Sequence, residues 1–184
     1  EDVHFSLEHI VPEVIEVIKA YEKSGHCKIP VIAAGGLYTG EDIYRLMQLG
    51  ATGVQLGSKF VTTEECDASP VFKQAYIDAG QSDIEIITSP VGMPGRAISG
   101  EFTRKVKSGS EKPRRCAFHC IKTCDYTKSP YCIIKALYNA AKGNMQKGYA
   151  FAGANAYLSQ KIVSVRETID TLKKEFMQAK ESVK

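Results

Sequence analysis

The sequence is short of several features, and each shortage excludes a class of protein. No apolar run approaches the ~18 residues that a membrane-spanning helix requires, so no such span is expected. There is no internal repeat and no low-complexity segment, which sets aside repeat arrays. At 43% hydrophobic and 24% charged residues, the chain is neither a disordered tail nor a collagen-like fibre. No basic n-region and no initiator methionine open it. It begins Glu1-Asp2-Val3-His4, and the expectation is a processed, trimmed or excised chain without a secretory leader, working in the reducing cytoplasm. With 184 residues and 20.2 kDa, it is one ordinary domain or a piece of a larger one.

Charge is present but uneven. Residues 1–100 carry 7 Lys+Arg against 14 Asp+Glu, a net of −7, whereas residues 101–184 carry 17 against 7, a net of +10. The densest basic stretch, 104–115, holds Arg104, Lys105, Lys107, Lys112, Arg114 and Arg115 among Ser and Gly without interleaved aromatics. That pattern predicts a solvated loop rather than a nucleic-acid surface. The other reading is that these cations help to hold an anionic ligand.

The hydrophobic pattern alternates between two periods. Leu7, Ile10, Val11, Val14, Ile15 and Ile18 recur at helical spacing, with Glu8, Glu13 and Glu16 opposite, Ser6 as N-cap and Gly25 as stop. Ile29-Pro30-Val31-Ile32-Ala33-Ala34 is a continuous apolar run, the pattern of a strand buried on both faces of a parallel sheet. Thr39-Gly40-Glu41-Asp42 opens a second helix with a capping box. Gly53-Val54-Gln55-Leu56 is a second strand. Helix, strand, helix and strand with short junctions predict an α/β fold. Further on, residues 72–80 and 129–143 are expected to be helical, 84–87 a short strand and 88–100 a loop. Residues 161–180 are expected to form an amphipathic terminal helix with Ile162, Val165, Ile169, Leu172 and Phe176 on one face.

Both predicted strands run into glycine turns, Gly35-Gly36 after the first and Gly57-Ser58 after the second. Glycine allows a backbone to approach an anion closely, and helix-start N–H groups and a hydroxyl favour negative charge. Two such turns on neighbouring parallel strands suit a phosphate cradle, of the kind built after strands 7 and 8 of (β/α)8 barrels. The alternative is that each glycine serves turn geometry alone.

These residues carry a resemblance. The segment Ile29-Pro-Val-Ile-Ala-Ala-Gly-Gly-Leu-Tyr-Thr-Gly, then Leu49-Gly-Ala-Thr-Gly-Val-Gln-Leu-Gly-Ser-Lys-Phe-Val, resembles the flavin-dependent nitronate monooxygenases and their relatives, the FMN-dependent enoyl-ACP reductases. Thr88-Ser-Pro-Val-Gly-Met-Pro-Gly-Arg-Ala is similar to a loop that the family places near its active site. Phe151-Ala-Gly-Ala-Asn-Ala-Tyr is similar to a late Ala-Gly-Gln-type turn, with Asn155 as a departure.

The resemblance implies an FMN-binding TIM barrel of which this chain is the C-terminal portion, holding the last two barrel strands and a helical C-terminal extension. It implies that Gly35, Gly36, Gly57 and Ser58 hold the FMN phosphate, with Ala34 and Gln55 beside the flavin. The implied substrate is a small nitronate or other activated carbon acid, oxidised with O2. The catalytic base is not carried over: the family's Gly-Gly-His segment precedes the helix equivalent to 7–24, and His4 and His9 are expected to be ordinary histidines. The implied organisation is barrel units over 1–100, a basic cysteine-containing insertion over 101–150, and a closing turn and helix over 151–184. Partners are then the chain's own N-terminal barrel half or a second copy, with no nucleic acid and no membrane. The second enzymatic reading is an enoyl-ACP reductase.

Cys116, Cys120, Cys124 and Cys132 fall within 17 residues. The first three are spaced i, i+4, i+8, which on a helix would share one face. There is no C-x2-C pair and no ferredoxin run, so no standard metal motif is present. A reading of another class remains open, a non-catalytic metal or redox module ligated by these thiols.

Overall fold

The computed structural model describes residues 6–25, 27–122 and 124–182. The expectation for His4 lies outside them. The elements are α1 (Leu7–Lys23), β1 (Ile32–Ala34), α2 (Gly40–Gln48), β2 (Gly53–Gln55), α3 (Ser58–Val61), α4 (Pro70–Asp78), β3 (Ile84–Ile87), β4 (Gly95–Ile98), α5 (Glu101–Lys107), α6 (Ile133–Ala141) and α7 (Val165–Ser182). Short 3-10 turns occur at Gln81–Asp83, Met145–Lys147 and Ala156–Leu158. The chain divides into two compact units. One takes the described residues up to Gly57 together with those from Ser164 onward, and the other is Ser58–Val163. No described helix is long and apolar enough to cross a membrane.

In the first unit, β1 and β2 pair in parallel. Parallel strands cannot be joined by a tight turn, so α2 serves as the crossover. Its start is fixed by the predicted capping box. Thr39 Oγ1 accepts from Asp42 N at 3.1 Å, and Asp42 Oδ2 accepts from Tyr38 N and Thr39 N at 2.9 and 3.0 Å. Burial alone would raise the Asp42 carboxyl. These N–H groups, the Thr39 hydroxyl and Arg45 outweigh that and hold it below the usual carboxylate range.

Helix α7 closes this unit on α2. Gly40 N donates to Glu175 Oε2 at 2.7 Å, and the Tyr44 and Phe176 rings meet edge to face at 5.5 Å. A Cβ on Gly40 would run into the backbone of Leu172 and Phe176, so the two helices touch at a position that only glycine can occupy. Helix α7 starts later than the periodicity predicts. Ser164 caps it, with Ser164 Oγ accepting from Glu167 N at 3.1 Å, which leaves Ile162 outside the helix. The Ser6 cap of α1 also differs from expectation. Its backbone is in the N-cap conformation, but its hydroxyl bonds His9 Nδ1 at 2.9 Å instead of a helix N–H.

Strand β1 is not buried on both faces, as the sequence suggests. Ala33 is buried, whereas Ile32 is 57% exposed and Ala34 is exposed. The cause is the two-stranded sheet. Val11, Leu46 and Ala51 pack with Ala33 on one face of it, and the other face leaves Ile32 and Ala34 exposed.

The second unit is built on an antiparallel hairpin in which β3 pairs with β4 in the register Ile84↔Ile98 to Ile87↔Gly95. The predicted loop over 88–100 therefore ends in a strand. Turn residues around Pro90 and Pro94 disguise it. Gly95 fits because the Phe151 ring lies where its Cβ would be, and Ala97 is fully buried between β3 and a bridge to Phe151. Helix α4 begins two residues earlier than its apolar pattern, at a Ser69 cap and Pro70, a pairing suited to a helix start. Helix α6 begins later than predicted, at Ile133, because Tyr131 is drawn into the core. The basic stretch is not one solvated loop. Arg104, Lys105 and Lys107 belong to α5, where Lys105 pairs with Glu101 at 2.7 Å and Lys107 pairs with Glu85.

Two outcomes are expected. Gly40→Ala should cost roughly 1–3 kcal/mol through overpacking, read as a drop in Tm of about 2–4 °C per kcal/mol for a chain of this size. Asp42→Asn should cost about 1 kcal/mol at neutral pH. Because the folded carboxyl sits below its unfolded value, its contribution is present above about pH 4 and is lost as pH falls through the depressed value. Melting curves between acid and neutral pH should therefore converge for the two proteins in acid.

Candidate functional site

The register Ala34↔Gln55 makes β1 and β2 end level. Their C-terminal edge therefore carries both glycine turns. Gly35 and Gly36 have φ of +110° and +69°, a region that favours glycine, so the tight turn itself accounts for them. Gly57 is different, since it does not lie in that region. A Cβ at any of the three would meet nothing within 4 Å. Within this unit the edge opens onto free space, and the fold does not demand glycine at 57. Ala34 and Gln55 are exposed beside the turns.

Of the predicted site residues, the structure thus brings Ala34, Gly35, Gly36, Gln55 and Gly57 to one edge of the first unit. Ser58 follows Gly57 through one peptide bond but opens α3 of the second unit. There its Oγ accepts from Gly153 N at 2.7 Å, and a Cβ on Gly153 would lie 3.1 Å from that oxygen. The hydroxyl read from the sequence as a donor is first an acceptor, with its own proton still to give. Gly153 is the residue that sequence reasoning left without a role. The glycine in the 151–157 segment was its only signal.

The loop after β3 is anchored by buried tyrosines. Tyr131 Oη lies 3.2 Å from Thr88 O and 3.1 Å from Tyr149 Oη. Tyr131 has one proton, so if it donates to the carbonyl, Tyr149 donates to Tyr131. Burial pushes the Tyr149 hydroxyl far above the ordinary phenol range, and the Tyr131 hydroxyl raises it further. Burial also raises Tyr131, partly offset by the bond from Tyr149. Both are neutral hydrogen-bonding groups at pH 7. With Phe102 and Phe151 they form an aromatic cluster whose ring centroids lie 4.9–5.9 Å apart.

The cysteines are not on a helix. No described residue between α5 and α6 is helical or in a strand. Asp125 Oδ1 accepts from Thr127 N and Oγ1, a local turn that competes with helix, and His119 has a φ of +46°. All six cysteines are free. Cys116, Cys120, Cys124 and Cys132 line one cavity of about 30 Å3, yet among the described residues no three His, Cys, Asp or Glu side chains are placed to hold a metal ion. His9 is exposed on α1.

Comparison with known proteins adds to this geometry. A sequence model of the nitronate monooxygenase family matches residues 2–175. A probable nitronate monooxygenase of Staphylococcus saprophyticus is 35% identical over 97 residues, which are 53% of this chain and 25% of that protein. A (3aS,4S,5R,7aS)-5-hydroxy-7a-methyl-1-oxo-octahydro-1H-indene-4-carboxyl-CoA dehydrogenase of Mycobacterium tuberculosis is 37% identical over 82 residues, 45% of this chain and 23% of that protein.

Among solved structures, FabK from Thermotoga maritima superposes with a TM-score of 0.74 at 26% identity, covering 97% of this chain and 51% of its own. A nitroalkane oxidase from Streptomyces ansochromogenes gives 0.69 at 22% identity, covering 97% and 46%. The α/β fold is therefore shared with these enzymes, and the chain spans about half the length of the solved structures and a quarter of the curated relatives.

Ser58→Ala should leave the Gly153 N–H without its acceptor and cost about 1 kcal/mol, whereas Ser58→Thr, which keeps an oxygen there, should retain most of the stability. Thermal melts of the two variants read the difference.

Proposed function

This chain belongs to the nitronate monooxygenase family, and from that premise we propose that it forms the last two βα units of an FMN-dependent TIM barrel that oxidises alkyl nitronates with O2. One observation carries the reading. Two parallel strands end level, and both run into glycine turns that open onto free space, one of them at a glycine the fold does not require. A cradle that a Cβ would fill is what a phosphate needs for close backbone approach.

In this reading the backbone at Gly35, Gly36 and Gly57 receives the FMN phosphate, and Ser58 adds its hydroxyl proton. Ala34 presents a small surface to the flavin, and Gln55 offers an amide donor and acceptor to its edge. FMN, when bound, supplies the electron chemistry between the substrate carbon and oxygen. The chain's own residues bind and orient. No side chain of this chain is assigned as the base that deprotonates carbon, and we assign that base to the part of the barrel beyond the half that this chain matches in its solved relatives. The exposed Ile29 and Ile32 support association of the sheet with that remaining part, or with a second copy.

One comparison favours a second reading. FabK is the more similar of the two solved enzymes above, in TM-score and in identity. Under that reading the substrate is an enoyl thioester reduced with a nicotinamide cofactor. Assays with a nitronate and with an enoyl thioester, run on the protein reconstituted with its barrel partner, separate the two.

The phosphate cradle is tested by titrating FMN and riboflavin into the protein and following flavin fluorescence. FMN should bind roughly tenfold or more tightly than riboflavin. Gly57→Asp places a carboxylate at the cradle without backbone strain or steric cost, and it should erase that preference without lowering the melting temperature. Equal affinity for the two flavins in the unmodified protein, or an FMN preference untouched by Gly57→Asp, would overturn the assignment.

A further inference from the structure

The basic half of the chain holds a feature that the flavin reading does not use. A cleft of about 820 Å3 lies wholly within the second unit, between the extended stretch after α5 and the face of α6. Small-ligand clefts commonly measure about 300–1,000 Å3. Six cations line it: Lys105, Lys112, Arg114, Arg115, Lys135 and Lys147. They come from α5, the extended stretch, α6 and the 3-10 turn at Met145–Lys147, so the fold gathers them from four separate segments. Glu111 is the single acid among the lining residues. Among the described residues, Lys105 is the one of these six in an ion pair, with Glu101. Like charges gathered around one concave space repel one another and focus a field that attracts a multivalent anion. A charge run that merely faced solvent would not converge in this way.

The rest of the lining narrows the ligand. Phe102, Tyr131 and Ala136 are almost fully buried and make a rigid apolar floor. Phe118 and Tyr138 line the cleft with much of their surface exposed, 50% and 62%. Exposed rings offer a surface on which a flat heterocycle can stack, and Lys142 Nζ lies over one face of Tyr138, 6.0 Å from its centroid. Asn139, Asn144 and Gln146 add amide groups at the same wall, and Asn139 is held in place by donating to Lys147 O at 3.0 Å. Arg114 and Arg115, consecutive in the extended stretch, both line the cleft, and a guanidinium group suits phosphate oxygens.

We propose that this cleft binds a nucleoside diphosphate, its phosphates on the cations and its base against Tyr138 and Phe118. The proposal is independent of the flavin assignment, since every lining residue belongs to the second unit. The site takes a polyphosphorylated nucleoside, free or as part of a larger coenzyme.

The test is calorimetric titration of the full chain with ADP, adenosine and inorganic pyrophosphate, each with and without saturating FMN. ADP should bind roughly tenfold or more tightly than either fragment, and FMN should not displace it. Arg114→Glu and Lys135→Glu should each weaken ADP by roughly tenfold. Tyr138→Ala should weaken ADP but leave pyrophosphate unchanged. All three side chains are exposed, and unchanged melting curves will show that the variants fold. Absence of ADP binding, equal affinity for ADP and pyrophosphate, displacement by FMN, or tighter binding of a single-stranded oligonucleotide than of ADP would each overturn the proposal.

Discussion

The level pairing of β1 with β2 is the constraint on which the first unit depends. A parallel pair exists only if the chain between its strands makes a crossover of the right length and start. Thr39 and Asp42 fix that start by satisfying three backbone N–H groups around the first turn of α2. Gly40 then lets α7 rest directly on the same turn. The cap and the helix contact occupy adjacent residues, so one short stretch sets the crossover and returns the distal end of the chain to this unit. The register follows, and with it the position of both glycine turns at one edge.

The second unit obeys a different rule. Its strands are few and its cores rely on small residues and aromatics. Ala97, Ala136, Ala140, Ala150 and Ala156 are almost wholly buried. Gly148 sits where a Cβ would strike the α6 backbone at Ala136 and Ala140. Close approach of backbones leaves room for Phe102, Tyr131, Tyr149 and Phe151 to fill the remaining volume with edge-to-face contacts. Lys73 fits the same economy of space. It is buried, and its ammonium group donates to the carbonyls of Thr63 and Glu64 at 2.6 and 3.2 Å, which satisfies a charge that burial would otherwise penalise.

Apart from the one-turn α3, which carries no periodic signal, the order of helices and strands through β3 was legible because its signals are local. Apolar periodicity marks α1 and α2, a continuous apolar run marks β1, and Thr39 with Asp42 marks the cap. Strand β4 was not legible, because Gly95, Arg96 and Ala97 have no strand propensity of their own. They are extended because β3 pairs on one side and Phe151 covers Gly95 from elsewhere in the chain. The cysteine spacing misled for the opposite reason. A period of four suits a helix, but the left-handed His119 interrupts it, and the Asp125 turn follows directly after Cys124. Convergence of cations from four segments was also beyond a linear reading, which sees only the six between Arg104 and Arg115. The structure removes Arg104 and Lys107 from that set and adds Lys135 and Lys147.

For the candidate site, the three glycines do not carry equal weight. Positive φ explains Gly35 and Gly36 completely, so a tight turn would select glycine there with or without a ligand. Gly153 is explained by its contact with Ser58. Gly57 has neither explanation. Its backbone is available to any residue, and no atom of the chain stands where its Cβ would be. Glycine also costs more backbone entropy on folding than any other residue, so an unforced glycine weakens the strand end that it follows. A group that must come closer to the backbone than a methyl allows offsets that cost. Among the three cradle glycines, the phosphate reading supplies such a group at the one for which the fold supplies no reason of its own.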